Sequence, residues 1–141
     1  MAEIPDAVRA RLRAKNYWHL TTQNEDGTLT TTPVWADVDD GHVLVNTAIG
    51  RRKERNVRRN PTVALSMTDT DNVHSWVEIR GRVVELVEGP AAEESIDSFA
   101  RKYLGLDGYP FRAPGERRVL LRIEPTQVIL PSYEVPAAPP S

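Results

Sequence analysis

The sequence predicts a mainly β domain: a small antiparallel barrel of about six strands with two or three helices inserted. Short runs rich in Val, Thr, Leu and aromatic residues follow one another, separated by Gly, Asp, Asn and Pro. These strand-like runs do not alternate regularly with crossover helices, which disfavours a doubly wound parallel sheet. At 141 residues, 40% hydrophobic and 27% charged, the chain suits one domain around one core.

Taken in order, Pro5 fits the start of a helix over about 5–15, where Ala7, Val8, Leu12 and Ala14 form a modest apolar stripe expected to lie on the surface. From Tyr17 the texture turns to β. YWHLTT, a turn through NEDGT with its Asp26-Gly27 pair, and LTTTPVWADV form a hairpin. Asp39-Asp40-Gly41 turns the chain into HVLVNT, completing a three-strand meander through residue 47. Residues 50–60 have helical composition and stop at Asn60-Pro61, because a residue before proline is pushed out of the α region.

TVALSMTD then places Val63, Leu65 and Met67 on one strand face, and SWVEIRGRVVELV follows with Gly81 read as a bulge. Gly89-Pro90 starts a helix in which Ile96, Phe99, Ala100, Tyr103 and Leu104 recur at helical spacing, with Gly105 as its stop. LDGYPFRAPGE reads as a loop, and RRVLLRIEPTQVIL as a last strand broken or bent at Pro125. The domain is expected over 1–130, with 131–141 as an extended or disordered tail.

The chain has no cysteine, which removes disulfides, thiolate metal sites and thiol nucleophiles and suits a reducing compartment. MAEIPDAVRARLRAK lacks a signal peptide's apolar stretch, and no run approaches the roughly 18 apolar residues of a membrane span. A cytoplasmic protein with no membrane partner is expected. Net charge is −2, with a pI near 5.9, so nothing pulls the whole molecule toward nucleic acid. Residues 51–59, RRKERNVRR, nevertheless hold six of the 18 Lys and Arg and one of the 20 acids; this net +5 leaves −7 for the remainder.

Several chemistries are absent as patterns. There is no GxGxxG, GxxxxGK[ST] or GxSxG, and His19, His42 and His74 stand apart without metal-ligand spacing, so no metal site is expected. Asp37, Asp39 and Asp40 cluster where a turn favours Asp for backbone reasons. No helix-turn-helix, RRM or zinc-knuckle pattern accompanies the basic segment, so a nucleic-acid partner is not expected.

The basic segment is the main functional lead. Glu54 and Arg58 form a helical i, i+4 pair, and the later arginines fit a solvated face. Arg51, Arg52 and Lys53 are different, because they crowd a helix N-terminus that already carries partial positive charge. A bound phosphate would reverse that penalty: Gly50 would let it approach the backbone, free N–H groups would donate to it, and the cations would neutralise it. Asn46 and Thr47 at the preceding strand end could add side-chain bonds.

The order TTTPVW (30–35), VLVNTAIGRRKERNVRRNPTVAL, SWVEIRGRVVEL and RVLLRIEPTQV resembles the pyridoxamine phosphate oxidase-like split β-barrel flavoproteins. It is most similar to the branch that uses the deazaflavin coenzyme F-420, over roughly residues 5–130. The resemblance implies a six-stranded split barrel of the FMN-binding type that forms a homodimer, with a cofactor in each of two interface grooves. Thr32, Pro33 and Val34 would make backbone edge contacts to the ring. Asn46, Thr47, Arg52, Lys53 and Asn56 would line the phosphate end, and Trp76 of the partner subunit, with His74 of the partner subunit, would close over the ring or tail. Trp18 and Trp35 fit barrel packing better.

The activity so implied is hydride transfer from reduced deazaflavin to an unsaturated or conjugated small molecule, for which no catalytic side chain is assigned. Deazaflavin's oligoglutamyl tail would find complementary charge in Arg55, Arg58 and Arg59, whereas FMN ends at its phosphate. An FMN enzyme of the same fold is the alternative; the chain's end lacks the substrate-phosphate signature of pyridoxamine phosphate oxidase itself. A dimeric, non-enzymatic carrier of a flavin or haem-like ligand is the third reading.

Overall fold

The structure is a computed structural model that describes residues 1–132; most of the tail expected over 131–141 lies outside the described residues. Its elements are α1 (Asp6–Arg13), β1 (Tyr17–Gln23), β2 (Leu29–Val38), β3 (Val43–Ala48), α2 (Arg52–Arg59), β4 (Thr62–Thr68), β5 (Trp76–Val87), α3 (Pro90–Leu104) and β6 (Arg118–Ile129). The strands close into a barrel of order β1-β2-β3-β6-β5-β4, every neighbouring pair antiparallel. The expected mainly β barrel is therefore present, with three helices inserted.

Period-two alternation fills the barrel. Trp18 and Leu20 of β1, Val43 and Val45 of β3, Leu65 of β4, Ile79 of β5, and Leu121 and Ile123 of β6 all point inward and are essentially inaccessible. Burying each large apolar side chain contributes about 1.5–3 kcal/mol. The first helix lies on the surface as expected, but only part of its stripe is used: Val8 and Leu12 of α1 are fully buried against the barrel core, whereas Ala7 and Ala14 are exposed.

The third helix uses the predicted apolar stripe to cover the outside of β2, β3 and β6. Ile96, Phe99 and Tyr103 form a second cluster with Trp35, Leu44, Tyr109 and Leu120. Polar ties fix it there: Lys102 Nζ donates to Leu12 O (2.8 Å) and Ala36 O (2.6 Å), and the Tyr103 hydroxyl donates to Asn16 O and accepts from Ala36 N–H (3.1 Å).

Of the break or bend expected at Pro125, the break does not occur: β6 is one strand from Arg118 to Ile129. It does carry an irregularity there, because Arg80 pairs with Gln127 and the adjacent Gly81 with Pro125, leaving Thr126 as an extra residue on β6. The bulge expected at Gly81 is therefore on the opposite strand; the unpaired residue of β5 is Val84. A Cβ at Gly81 would lie 2.5 Å from Glu124 O and 2.9 Å from Ile123 Cγ2, so β6 can pass only over a glycine.

The β2–β3 ladder is short. β2 pairs with β3 only over Ala36–Val38, opposite Val43–Val45. Continuing the same register would pair Trp35 with Asn46 and Val34 with Thr47, yet neither pair forms and the strands separate. Beyond that point β3 pairs with β6 as far as Ala48 opposite Arg118. The barrel is split there.

Gly81→Ala should lower stability by about 1–3 kcal/mol, because the backbone of Glu124 must shift to admit the methyl group. Urea denaturation checks this; an unchanged midpoint would show that β6 yields without strain.

Candidate functional site

A cleft of about 310 Å³ opens in the split. Pro33, Val34 and Trp35 of β2 form one side and Asn46 and Thr47 of β3 the other. Arg51 and Lys53 enter from the start of α2, Arg118 from the start of β6, Tyr17 from β1, and Tyr109 from the loop after α3. Six of the residues singled out in the sequence thus meet at one place: Pro33, Val34, Asn46, Thr47, Arg51 and Lys53. Gly50, with φ of +93°, makes the turn that leads from β3 into α2.

Three cations converge here. Arg118 is 3% exposed, its Nε donates to Asn46 Oδ1 (2.9 Å), and its guanidinium lies 5.0 Å from the Tyr109 ring centroid. Asn46 is itself held by donating to Ala92 O (2.9 Å). Glu116 bridges Arg118 and Arg51 at 3.3 Å each, so one carboxylate is shared by two of the three cations. Burial, then the charges of Arg51 and Arg118, push the Lys53 ammonium below its ordinary pKa. Burial likewise lowers the pKa of Arg118.

Thr47 is 1% exposed, and its Oγ1 is buried without a hydrogen-bond partner. An unmade bond of this kind costs about 1–3 kcal/mol. A buried unpaired hydroxyl beside an excess of positive charge fits an anionic oxygen, which would accept from both. Together these features fit the phosphate end of a cofactor.

The helix N-terminus works differently from the sequence expectation. Gly50 N–H donates to Glu54 Oε2 (3.2 Å) and Arg51 N–H to Ala48 O (3.2 Å), so these two donors are already satisfied within the chain. Glu54 is not part of a solvated face: it is 3% exposed, and its other oxygen accepts from Arg58. A buried carboxylate in the first turn offsets part of the dipole penalty that Arg51, Arg52 and Lys53 create.

Other expectations separate from the cleft. Arg52 lies across α2 in a smaller recess with Asn24, Arg55 and Arg59, while Arg58 turns to Glu54 and Glu88. Asn56 also faces that side and is 4% exposed; its Nδ2 donates to Thr22 Oγ1 and Asn24 Oδ1 (3.0 Å each), tying α2 to β1. Thr32 stands on β2 opposite Leu20 and does not line the cleft. His74 precedes β5 and Trp76 begins it; neither lines the cleft of its own subunit.

Four lining residues were missed in the sequence: Tyr17, Trp35, Tyr109 and Arg118. Trp35, assigned there to barrel packing, stacks on Tyr103 (5.1 Å, 6°) and presents its remaining surface to the cleft. Arg118 left little signal, being one of two adjacent arginines at the start of a strand that also carries Arg122 and Glu124. A larger hollow of about 450 Å³ lies across β1, β4 and β5, but Arg80 is its one charged lining residue and none of the predicted site residues reaches it. Among the described residues, no group of three or more His, Asp or Glu is arranged to hold a metal, and no helix is long and apolar enough to cross a membrane.

The family model for pyridoxamine 5'-phosphate oxidase matches residues 4–130. Among solved structures, an F-420 reductase is 29% identical with a TM-score of 0.77, the alignment covering 89% of this chain and 98% of that one. A conserved hypothetical protein from Mycobacterium tuberculosis shares the fold at 23% identity and TM-score 0.71, over 95% and 93% of the two chains. So does a provisionally assigned pyridoxamine 5'-phosphate oxidase from Listeria innocua, at 21% and 0.67, over 89% and 95%. No curated protein matches significantly.

Stability should report the crowding at Lys53. Its proton is held less tightly in the folded chain than in the unfolded chain, so between the lowered pKa and the ordinary 10.5 the unfolded state binds more protons and stability rises with pH. Lys53→Met should remove that rise and make the ligand-free protein more stable at neutral pH. Orthophosphate should raise the Tm of the wild type more than that of the variant. Superimposable pH profiles for the two proteins would contradict the crowding.

Proposed function

We propose that this chain, which belongs to the pyridoxamine 5'-phosphate oxidase family by the match over residues 4–130, is an oxidoreductase that holds coenzyme F-420 in the β2–β3 cleft. Its substrate is an unsaturated or conjugated small molecule reduced by hydride transfer. The family binds flavins such as FMN, and the likeness to an F-420 reductase supports the deazaflavin. The observation that carries the reading is the buried, unpartnered Thr47 hydroxyl beside Arg51, Lys53 and Arg118.

In this reading the deazaflavin supplies the hydride, and the protein binds, orients and excludes water. Arg51, Lys53, Arg118 and Thr47 hold the phosphate, with Asn46 fixing the Arg118 guanidinium. The β2 edge at Pro33 and Val34, left without a β3 partner, offers backbone groups to the polar rim of the ring. Tyr17, Trp35 and Tyr109 provide apolar walls. Arg52, Arg55 and Arg59 form a second basic recess across α2, suited to the carboxylates of an oligoglutamyl tail and superfluous for FMN. FMN in the same cleft is the second reading, favoured by the family match.

The working unit is a homodimer. The outer face of β4 carries small neutral residues, Thr62, Ala64 and Ser66, opposite Arg82, Arg80 and Glu78 of β5 with Trp76 at the strand's start, while the principal helix packing falls on β1, β2, β3 and β6. A partner seated there would bring its own Trp76 and His74 toward a neighbouring cleft. The protein acts in the cytoplasm.

Titration of the ligand-free protein with oxidised F-420 and, separately, FMN should show tighter binding of F-420 by fluorescence. Arg51→Ala with Lys53→Ala should weaken it by about 2–5 kcal/mol. Replacing Arg52, Arg55 and Arg59 together by Ala should cost F-420 about ten-fold and leave FMN unchanged. Equal, negligible responses to both cofactors would reject the reading, and tighter FMN binding would move it to the alternative. Sedimentation should give twice the chain mass; a monomer that binds and turns over would remove the dimer.

A further inference from the structure

One wall of the cleft comes from a loop, residues 105–117, that belongs to no strand or helix, yet its anchoring is regular. Three side chains on one face of α3, four residues apart, form a polar rail. Arg101 Nε donates to Asp107 O (3.1 Å). Asp97 Oδ1 accepts from Tyr109 N–H (2.8 Å) and from Arg112 Nη1 (3.1 Å). Glu93 accepts from Arg112 Nε (3.1 Å) and, through Oε2, from Arg118 N–H at the start of β6 (2.9 Å).

The rail ends in Tyr109. Its ring meets Trp35 edge-on (6.2 Å between centroids), faces Arg118 at 5.0 Å and lines the cleft, while Phe111 packs edge-on against its other side (5.7 Å). Tyr109 is thus the aromatic residue that touches both the buried cation and the apolar wall. Loop residues hold such positions only when their backbone is tied down. The tie nearest to Tyr109 is Asp97, whose carboxyl is held below its usual range by the Tyr109 N–H and by Arg112.

We propose that Asp97 is a positioning residue for the cleft: through the Tyr109 N–H and Arg112 it sets the Tyr109 ring over the anion end, and Tyr109 is a specificity residue that contacts the part of the ligand next to its anionic group. This rests on the reading of the cleft as a cofactor site. An anion alone needs only the cations; a ligand joining an anion to a planar or apolar segment also needs the ring. Tyr109 therefore discriminates F-420 or FMN from free phosphate.

A double-mutant cycle on the full-length protein tests this, with Asp97→Ala, Tyr109→Ala and the double variant titrated with F-420, FMN and orthophosphate. Each single change should weaken whichever cofactor the wild type binds by about ten-fold, and the pair by no more than the larger single effect, because one residue acts through the other. Orthophosphate affinity should stay within about two-fold throughout. Asp97→Asn still accepts the Tyr109 N–H and should retain cofactor affinity within about three-fold, a rescue that guards against general destabilisation in the alanine variant. Hydrogen exchange at the Tyr109 amide should be fast in Asp97→Ala and slow in Asp97→Asn. Wild-type affinity in Asp97→Ala, or losses that multiply in the double variant, would overturn the proposal while leaving the cofactor reading intact. A wild-type protein that binds none of the three probes would overturn both.

Discussion

The cleft exists because the β2–β3 ladder stops at Ala36 opposite Val45. Had pairing continued, the positions of Trp35 and Val34 would have been sealed against Asn46 and Thr47, leaving a closed wall. Pro33, without an N–H, stands on β2 where that continuation would run. Closure of the barrel is rescued on the far side of β3, where pairing with β6 runs from Val43 to Ala48 and keeps the β3 end in place. The split therefore separates two strand edges without releasing either, giving a rigid cleft with exposed backbone on one side and a buried hydroxyl on the other.

Electrostatics then turn the split into a site. Arg51, Lys53 and Arg118 come from two elements far apart in sequence, and their mutual repulsion is tolerated because each is braced by something other than a ligand. Arg118 has Asn46 and Glu116, Arg51 has Glu116, and the helix carrying Lys53 has the buried Glu54 in its first turn. Lys53 itself makes no ion pair among the described residues, and burial, with the charges of Arg51 and Arg118 added, lowers its pKa. Crowded, partly buried cations of this kind are a common feature of binding sites, and they are what supports the proposed anion.

Two faces of one short helix divide the labour. Arg51 and Lys53 turn to the cleft, while Arg52, Arg55 and Arg59 turn away toward Asn24, with Asn56 buried beneath them. Adjacent residues on a helix point about 100° apart, so a run of cations that is continuous in sequence must separate in space. The structure thereby corrects the expectation that Arg52 and Asn56 sit with Lys53, without any change in the basic character of the segment.

The strand segments, the three helices and an irregularity near Pro125 were legible in the sequence, because period-two and 3.6-residue patterns, Gly-Pro starts, Asn-Pro stops and a proline within a strand act over a few residues. So was much of the cleft: Asn46, Thr47, Arg51 and Lys53 lie in a segment whose residue types already suggested an anion, and Pro33 and Val34 followed from the family resemblance. Burial of Glu54, the pairing of β3 with β6 and of β1 with β4, the placing of the bulge on β6 opposite Gly81, and the arrival of Tyr17, Trp35, Tyr109 and Arg118 were decided by tertiary structure alone. Each depends on a partner at long sequence separation, such as Gly81 beneath Pro125, Asp97 beside Tyr109 or Asn46 against Arg118. Local pattern carries no information about which distant group fills the space opposite; only closure of the barrel supplies it.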